Sequence, residues 1–248
     1  MGRLTEAIKH LIIINVIFFI AGIAGYGDML YQYLALWFPE NANFQWWQVV
    51  SHMFLHDFGG FFHILFNMYA LWAFGSPLER MWGRNKFLFF YFSSGIGAAL
   101  IHTAANYYFF NEGLDAILAS GMQKSQVIEF LSKAPNSPDW YRLASRGTID
   151  SFLSAFNEPA VGASGAVYGV LVAFAFSYPN AELMLIFLPI PIKAKYFVPL
   201  IILGDLFFGF SNVNTGIAHF AHIGGALIGF VMMWYWKKNQ FNNNRWDR

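Results

Sequence analysis

The segment GASGAVYGVLVAFAFS at residues 162–177 is apolar along nearly its whole length and begins with small residues. A stretch of this kind without charged side chains is typical of a helix that is buried on all sides. Gly165 and Gly169 are four residues apart and lie on one face of such a helix, where a second helix can approach closely. The segment therefore predicts a tightly packed helix that begins near Ser164.

The composition of the whole chain indicates a membrane protein. Of its 248 residues, 57% are hydrophobic and only 12% are charged, and the mean hydropathy is +0.42. A bilayer core of about 30 Å requires roughly 20 mostly apolar residues per helix. Such segments lie near 10–26, 57–76, 87–110, 161–178, 196–212 and 217–236. We expect an all-α membrane protein, a bundle of six transmembrane helices in a single domain, 1–248.

Two further features of the composition narrow the function classes. The chain has no cysteine, which excludes disulfides, thiolate catalysis and cysteine metal sites. The formal net charge of +1 gives no indication of a nucleic-acid partner, and none is expected. The lipid bilayer is the expected surroundings.

The basic residues predict the orientation in the membrane, because Lys and Arg are retained in cytoplasmic loops close to the spans. Eleven of the fifteen cluster before the first segment, after the second, after the fourth and after the sixth, at Arg3, Lys9, Arg80, Arg84, Lys86, Lys193, Lys195, Lys237, Lys238, Arg245 and Arg248. The other four, Lys124, Lys133, Arg142 and Arg146, are mixed with acids in the segment 111–158. Both termini are therefore expected in the cytoplasm. The connections 27–55, 111–158 and 211–216 are expected outside.

The segment 111–158 between the third and fourth helices is too long for a simple connection. Ile149, Phe152, Leu153 and Phe156 repeat at helical spacing, and a second stripe begins at Val127. We expect an extracytoplasmic insertion of two or three short amphipathic helices. It contains no histidine and no Gly-Ser motif, so we expect it to be an accessory module that steers substrates.

Ser164 and His222 are the candidate catalytic pair. A serine among small residues at a helix start has room for a substrate carbonyl near N–H groups that can bind an oxyanion, although the same motif also occurs where helices simply pack. An ionisable group inside a span is costly and indicates a functional site. If the Gly225 face of the sixth helix meets Gly165, His222 reaches Ser164 and can serve as its base.

Three more polar residues of interest lie in the apolar helices. His63 and Asn67 are four residues apart on one face of the second helix, where they could donate hydrogen bonds to an oxyanion or simply bond neighbouring helices. His219 lies one turn before His222, and we interpret it as an interfacial or cap residue.

Three stretches resemble the signature blocks of the rhomboid intramembrane proteases: GASGAVYG at 162–169, FLH at 54–56 continuing to His63 and Asn67, and AHIGG at 221–225. They occur in the family's order and on the second, fourth and sixth predicted helices. The resemblance covers roughly 50–110 and 159–235. Glu79 and Arg80 resemble the family's polar turn after the second helix, a structural feature.

The resemblance implies a Ser164–His222 dyad and an oxyanion pocket formed by His63, Asn67 and the backbone N–H of Ser164. The residues expected to support this geometry are Gly162, Gly165, Tyr168 and Gly225, with Tyr168 stacked on the His222 ring. The implied activity is that of a serine endopeptidase, without metal or cofactor, that cleaves single-span membrane proteins in or near the spanning helix. The expected location is a bacterial inner membrane.

Two alternatives stay open. The first is a catalytically silent rhomboid-like protein that binds or chaperones membrane proteins. The second is a divalent-metal carrier that would use the histidines His52, His56, His63, His219 and His222. It lacks an intramembrane carboxylate at ligand spacing: Asp57 and Asp205 are the only acids inside the predicted spans, and neither has the spacing of a metal ligand to the histidines. We therefore expect no acidic third member beside the dyad, and orientation of the imidazole by packing.

Overall fold

The computed structural model describes residues 3–185, 188–211 and 215–243. The helices are α1 Glu6–Ala21, α2 Gly27–Leu34, α3 Gln48–Ser51, α4 Phe61–Ala70, α5 Ser76–Trp82, α6 Arg84–Ala119, α7 Lys124–Lys133, α8 Arg146–Asn157, α9 Ser164–Ser177, α10 Ala194–Phe210 and α11 His219–Asn243. The π-helical turns Gly22–Tyr26 and Leu71–Gly75 join α1 to α2 and α4 to α5. Short strands β1 Glu182–Leu185 and β2 Leu188–Lys193 pair antiparallel between α9 and α10.

Helix α9 lies at the centre of the fold. Its side chains are buried from Gly165 to Phe174 on almost every face, and α6, α10 and α11 pack around it. An element buried on all sides must be apolar on all sides, which is the pattern of its sequence. The central position therefore follows from the composition of this one segment.

Large apolar side chains cover the outside of the helices, among them Ile17 on α1 and Leu200 and Phe207 on α10. A soluble monomer rarely exposes so much apolar surface, whereas lipid accepts it. Within the described residues, Glu6–Leu34 and Arg84–Ala119 are long and apolar enough to cross a membrane, and Ser164–Ser177 is apolar but shorter. The other three predicted crossings fall on α4 with α5, on α10 and on α11, and the total of six stays a prediction.

The first predicted helix, 10–26, does not lead into a connection at residue 27. The chain bends there and continues as a second helix. Gly25 has a φ of 104°, which residues with a side chain rarely adopt. Gly22 makes room for Phe58, since a Cβ there would lie 2.1 Å from the Phe58 ring. The bend redirects the chain, which then continues as α2 to Leu34.

Some predicted features fall on residues without a description. The connection 211–216 includes residues 212–214, and the segment 196–212 ends among them. Arg245 and Arg248 also lie outside the described residues.

The segment 111–158 begins as a continuation of α6, which runs past the predicted end at residue 110 to Ala119. The reason is that Phe110, Leu114 and Ile117 form one buried face that packs under α7 and α8. We call the buried cluster formed here the insertion core; it consists of Phe38, Phe110, Leu114, Ile117, Val127, Leu131, Trp140, Ile149, Phe152 and Ala155. The segment contains the short helices α7 and α8 and a 3₁₀ turn at Pro138–Arg142; that it is an extracytoplasmic insertion stays a prediction.

Glu79 on α5 fixes the N-terminus of α1. Its buried carboxylate accepts hydrogen bonds from the backbone N–H groups of Ala7 and Ile8, at 2.9 and 3.2 Å, and from the Thr5 hydroxyl. The first N–H groups of a helix have no acceptor within the helix. A negative charge at this end also interacts favourably with the helix dipole. The polar turn after the second predicted helix therefore caps the first.

We expect Glu79→Gln to lower the unfolding temperature of the purified protein in detergent, because the α1 N–H groups lose a charged acceptor. The free energy of unfolding should fall by about 1–3 kcal/mol. Glu6→Gln is the matched control, since Glu6 is also a carboxylate at the first turn of α1 but its side chain is exposed. Scanning calorimetry measures the unfolding temperature of each variant. Equal shifts of this temperature in Glu79→Gln and Glu6→Gln would contradict the capping role.

Candidate active site

Ser164 is the first residue of α9 and follows a turn that requires glycine. Gly162 has a φ of 128°, and its N–H donates to the carbonyl oxygen of His52 at 3.0 Å. This bond fixes where the chain enters α9. The backbone N–H of Ser164 lies in the first turn of the helix, where the N–H groups lack intrahelical acceptors and can bind a negatively charged oxygen.

His222 on α11 contacts the hydroxyl of Ser164. The His222 Nε2 atom lies 2.8 Å from Ser164 Oγ, a normal hydrogen-bond distance. His222 is largely buried, while Ser164 is partly accessible. The two side chains are 58 residues apart in sequence, so their contact depends on how α9 and α11 pack.

Glycines bring α9 and α11 into backbone contact. A Cβ on Gly225 would lie 1.8 Å from the carbonyl oxygen of Gly165, and one on Gly229 would lie 2.7 Å from the Cα of Gly169. The expectation that the two glycine faces meet is confirmed. Any larger residue at Gly225 would separate the helices and with them Ser164 and His222.

Tyr168 lies one turn after Ser164 and stacks on the imidazole of His222. The ring centroids are 4.2 Å apart and the ring planes differ by 13°. Stacking of this kind fixes the plane of the imidazole. The structure thus brings Tyr168 to the position that the sequence analysis expected.

Asp205 on α10 corrects the expectation that no acid lies beside His222. One carboxylate oxygen, Oδ1, accepts from His222 Nδ1 at 3.0 Å and from His219 Nδ1 at 2.6 Å. Asp205 is 7% exposed. His219, interpreted above as a cap, is likewise buried, and its Nε2 lies 2.7 Å from the hydroxyl oxygen of Thr215.

The spacing of these residues in sequence explains why Asp205 was missed. It precedes His219 by 14 and His222 by 17 residues, and its contacts form only because α10 packs beside α11. One signal was present: a carboxylate in the middle of an apolar segment is as costly in a membrane as a histidine. Applied to carboxylates as well as to histidines, that rule identifies Asp205 as a candidate functional residue.

His63 and Asn67 lie on α4 near Ser164. A Cβ built on Gly162 would lie 3.3 Å from His63 Nε2 and 3.4 Å from Ser164 Oγ, so the imidazole and the hydroxyl flank the same point. Asn67 Nδ2 donates to the backbone oxygen of His63 at 2.9 Å. An amide nitrogen carries two protons, which leaves Asn67 one donor for a ligand.

His52 and His56 lie in the connection before α4, and His56 contacts His63. Burial lowers the pKa of His52 to about 4. Burial, with a contribution from nearby His63, lowers the pKa of His56 to about 3. Both rings are therefore neutral at neutral pH. His52 Nδ1 donates to the Gln48 carbonyl at 2.8 Å, and the His56 ring packs edge-on against His63 at 5.1 Å.

A cleft of about 1390 Å³ leads to Ser164 and His222. Its apolar walls come from α4 and α10, for example Phe66 and Phe197. The polar face of α8 forms another part of the lining, through Asp150, Ser151, Ser154 and Glu158. The segment 111–158 therefore contributes directly to the cleft.

The cluster of Asp205, His219 and His222 contains three side chains of the kind that bind metals, with ligand atoms within 4.8 Å of one another. Around a tetrahedral zinc ion, bonds of about 2.0–2.1 Å place neighbouring ligand atoms about 3.3 Å apart. The two nitrogens lie 2.6 and 3.0 Å from the same Asp205 oxygen. These distances are typical of hydrogen bonds. The hydrogen bonds occupy Asp205 Oδ1 and the two histidine Nδ1 atoms, which a metal ion would need as ligands.

Residues 43–239 match the family described as the rhomboid domain. The chain is 29% identical over 197 residues to rhomboid protease AarA of Providencia stuartii, covering 75% of this chain and 54% of that protein. It is 28% identical over 217 residues to rhomboid protease GluP of Bacillus subtilis, covering 86% and 31%. It is 25% identical over 193 residues to mitochondrial rhomboid protein 1 of Saccharomyces cerevisiae, covering 77% and 42%. The chain thus spans about a third to about half of the length of these relatives.

We expect Gly225→Ala to lower the unfolding temperature markedly, because the new methyl group would overlap the Gly165 carbonyl and force α9 and α11 apart. Gly204→Ala on α10 is the matched control, since a Cβ there meets no atom within 4 Å. Thermal unfolding of both variants in detergent would measure the difference. A Gly225→Ala protein as stable as Gly204→Ala would contradict the close contact.

Proposed function

The chain belongs to the rhomboid family, and from this premise we propose that it is an intramembrane serine endopeptidase with a Ser164–His222 dyad. The observation that carries the proposal is the 2.8 Å contact between Ser164 Oγ and His222 Nε2. A serine hydroxyl is a weak nucleophile until a base accepts its proton. This contact supplies the base at the required distance.

The reaction follows from this geometry. Ser164 Oγ attacks the carbonyl carbon of the scissile peptide while its proton passes to His222 Nε2. The tetrahedral intermediate collapses, the C–N bond breaks, and His222 gives the proton to the leaving amine. Water then attacks the acyl-enzyme ester with His222 again as base, which releases the carboxyl product and restores the Ser164 hydroxyl.

Oxyanion stabilisation is assigned to His63, Asn67 and the backbone N–H of Ser164. Donors that point at developing charge in a site sheltered from bulk water lower the barrier of acyl transfer more than any other single contribution. The position of the His63 ring beside the Ser164 hydroxyl supports its part in this role. The remaining amide proton of Asn67 supports the second donor.

The proposed setting is a multi-pass protein of a bacterial inner membrane, with six crossings, both termini in the cytoplasm and the segment 111–158 outside. The substrate would be a single-span membrane protein. Its helix must unwind locally, because a fully hydrogen-bonded helix shields its peptide bonds. The cleft beside α4, α8 and α10 has room for such an unwound segment. No cofactor enters the reaction.

Two alternatives are weaker. A catalytically silent binding or chaperone protein has no need for Ser164 and His222 at hydrogen-bond distance. A metal carrier would have to break the hydrogen bonds of Asp205 with His219 and His222.

We expect Ser164→Ala and His222→Ala each to abolish cleavage of a transmembrane substrate reconstituted in liposomes, and the double variant to be no worse than either, because the pair acts as one unit. Ser177→Ala, at the other end of α9, and His10→Ala, on α1, are matched controls that should retain activity. Cleavage that persists without Ser164, or that stops on addition of a chelator, would refute the dyad. Binding without cleavage or serine labelling in the wild type would favour the silent alternative.

For the oxyanion donors, we expect His63→Ala and Asn67→Ala to lower kcat by roughly ten- to a thousandfold. KM should change little, because the donors act on charge that appears only in the transition state. Asn106→Ala is the control: Asn106 also lines the cleft, but it contacts His102. Weaker substrate binding at unchanged kcat would reassign His63 and Asn67 to substrate docking.

A further inference from the structure

We propose that Asp205 is a positioning residue that holds the imidazole of His222 in its base form, so that the Ser164–His222 pair works as part of a hydrogen-bonded chain of side chains. The inference rests on the proposed function and adds a residue to it. It starts from a buried carboxylate on α10 whose hydrogen-bond partners include both histidines of α11 and the Tyr168 hydroxyl.

The bond from His222 to Asp205 selects the tautomer. A carboxylate oxygen accepts, so the atom facing it, His222 Nδ1, must carry the proton. The neutral ring then has its lone pair on Nε2, which is the atom 2.8 Å from Ser164 Oγ. The partner of one ring nitrogen thus decides the state of the other. Only this tautomer can accept the serine proton.

Asp205 and Tyr168 restrict different motions of the same ring. The stacked tyrosine fixes the plane of the imidazole, but a ring flipped by half a turn about its Cβ–Cγ bond keeps the same plane and would stack equally well. The rotated ring would turn Nδ1 away from Asp205 and carry Nε2 away from the serine. The hydrogen bond to Asp205 excludes it.

His219 orients Asp205 in turn. Its Nδ1 donates to the same oxygen at 2.6 Å, and its Nε2 lies 2.7 Å from the Thr215 hydroxyl oxygen. The chain therefore runs from Thr215 through His219 and Asp205 to His222 and Ser164. Asp205, His219 and His222 are buried, so removal of any one of these three leaves a buried neighbour with an unmet hydrogen bond, which is costly in this environment.

The negative charge of Asp205 also acts during turnover. When His222 has accepted the serine proton, the ring is a cation next to the carboxylate, and attraction between opposite charges is strong in a buried site. The titratable groups that face His222 come from α9, α10, α4, α6 and its own helix: Tyr168, Asp205, His63, His102 and His219. Asp205 is the anion among them.

The test compares Asp205→Asn with the wild type and with Glu79→Gln. The amide has the size of the carboxylate but no charge, and its NH₂ group can present a donor to His222 and favour the wrong tautomer. Glu79 is a buried carboxylate that caps α1 outside the cleft, so Glu79→Gln controls for general destabilisation. All assays run below the lowest unfolding temperature of the three proteins.

We expect Asp205→Asn to lower kcat for the transmembrane substrate by at least about tenfold and at most about 10⁴-fold, the loss known when an orienting aspartate is replaced by asparagine, with KM nearly unchanged. Labelling of Ser164 by a fluorophosphonate probe should slow in parallel. The acidic limb of the pH–rate profile should move to lower pH, because a neutral neighbour no longer stabilises the protonated ring. Glu79→Gln should keep the wild-type kcat and pH profile.

A second measurement does not depend on whether the variant folds. In the wild type labelled with ¹⁵N-histidine, nitrogen shifts should show the neutral His222 ring protonated at Nδ1 and bare at Nε2. A proton on Nε2 would overturn the proposal, as would a kcat within about twofold of wild type in Asp205→Asn or a loss matched by Glu79→Gln. A wild type that neither cleaves nor reacts with the fluorophosphonate would instead refute the protease function itself.

Discussion

The backbone contact between α9 and α11 is the constraint on which the rest of the site depends. In lipid, apolar side chains gain little by leaving the surroundings for a helix interface, so close packing and interhelical hydrogen bonds must hold the helices together. Gly165 and Gly225 let the two backbones touch. At that separation, a serine on one helix and a histidine on the other reach hydrogen-bond distance. A wider spacing would break the hydrogen bond between them.

The polar side chains beside His222 are tolerated inside this bundle because they form hydrogen bonds with one another. Asp205, His219 and His222 would each be costly alone in a membrane, yet they share hydrogen bonds across α10 and α11. The connection before α4 uses another solution, since burial keeps His52 and His56 uncharged. The two regions therefore differ: the first holds a carboxylate between two histidines, and the second places the neutral ring of His56 against His63.

The sequence predicted what depends on local pattern. Glycine spacing indicated the α9–α11 contact, and the cost of an ionisable group in a span identified His222. The role of Asp205 could not be predicted from spacing along the chain, because it depends on the placement of α10 against α11. The extension of α6 to Ala119 was missed for a related reason: the stripe of Phe110, Leu114 and Ile117 faces the insertion core, whereas the preceding turns face the bundle.

The insertion core and the helices in lipid are stabilised by different physical effects. Under the proposed topology, Trp140, Phe152 and their neighbours are withdrawn from water, so the hydrophobic effect holds them together with a large heat-capacity change on opening. The helices in lipid lack that contribution. Cold or mild denaturant should therefore loosen α8, which lines the cleft, while the bundle stays intact. The access route to Ser164 and the catalytic side chains around it would then respond to temperature separately. The width of the entrance and the rate of the chemical step would be independent properties of one chain.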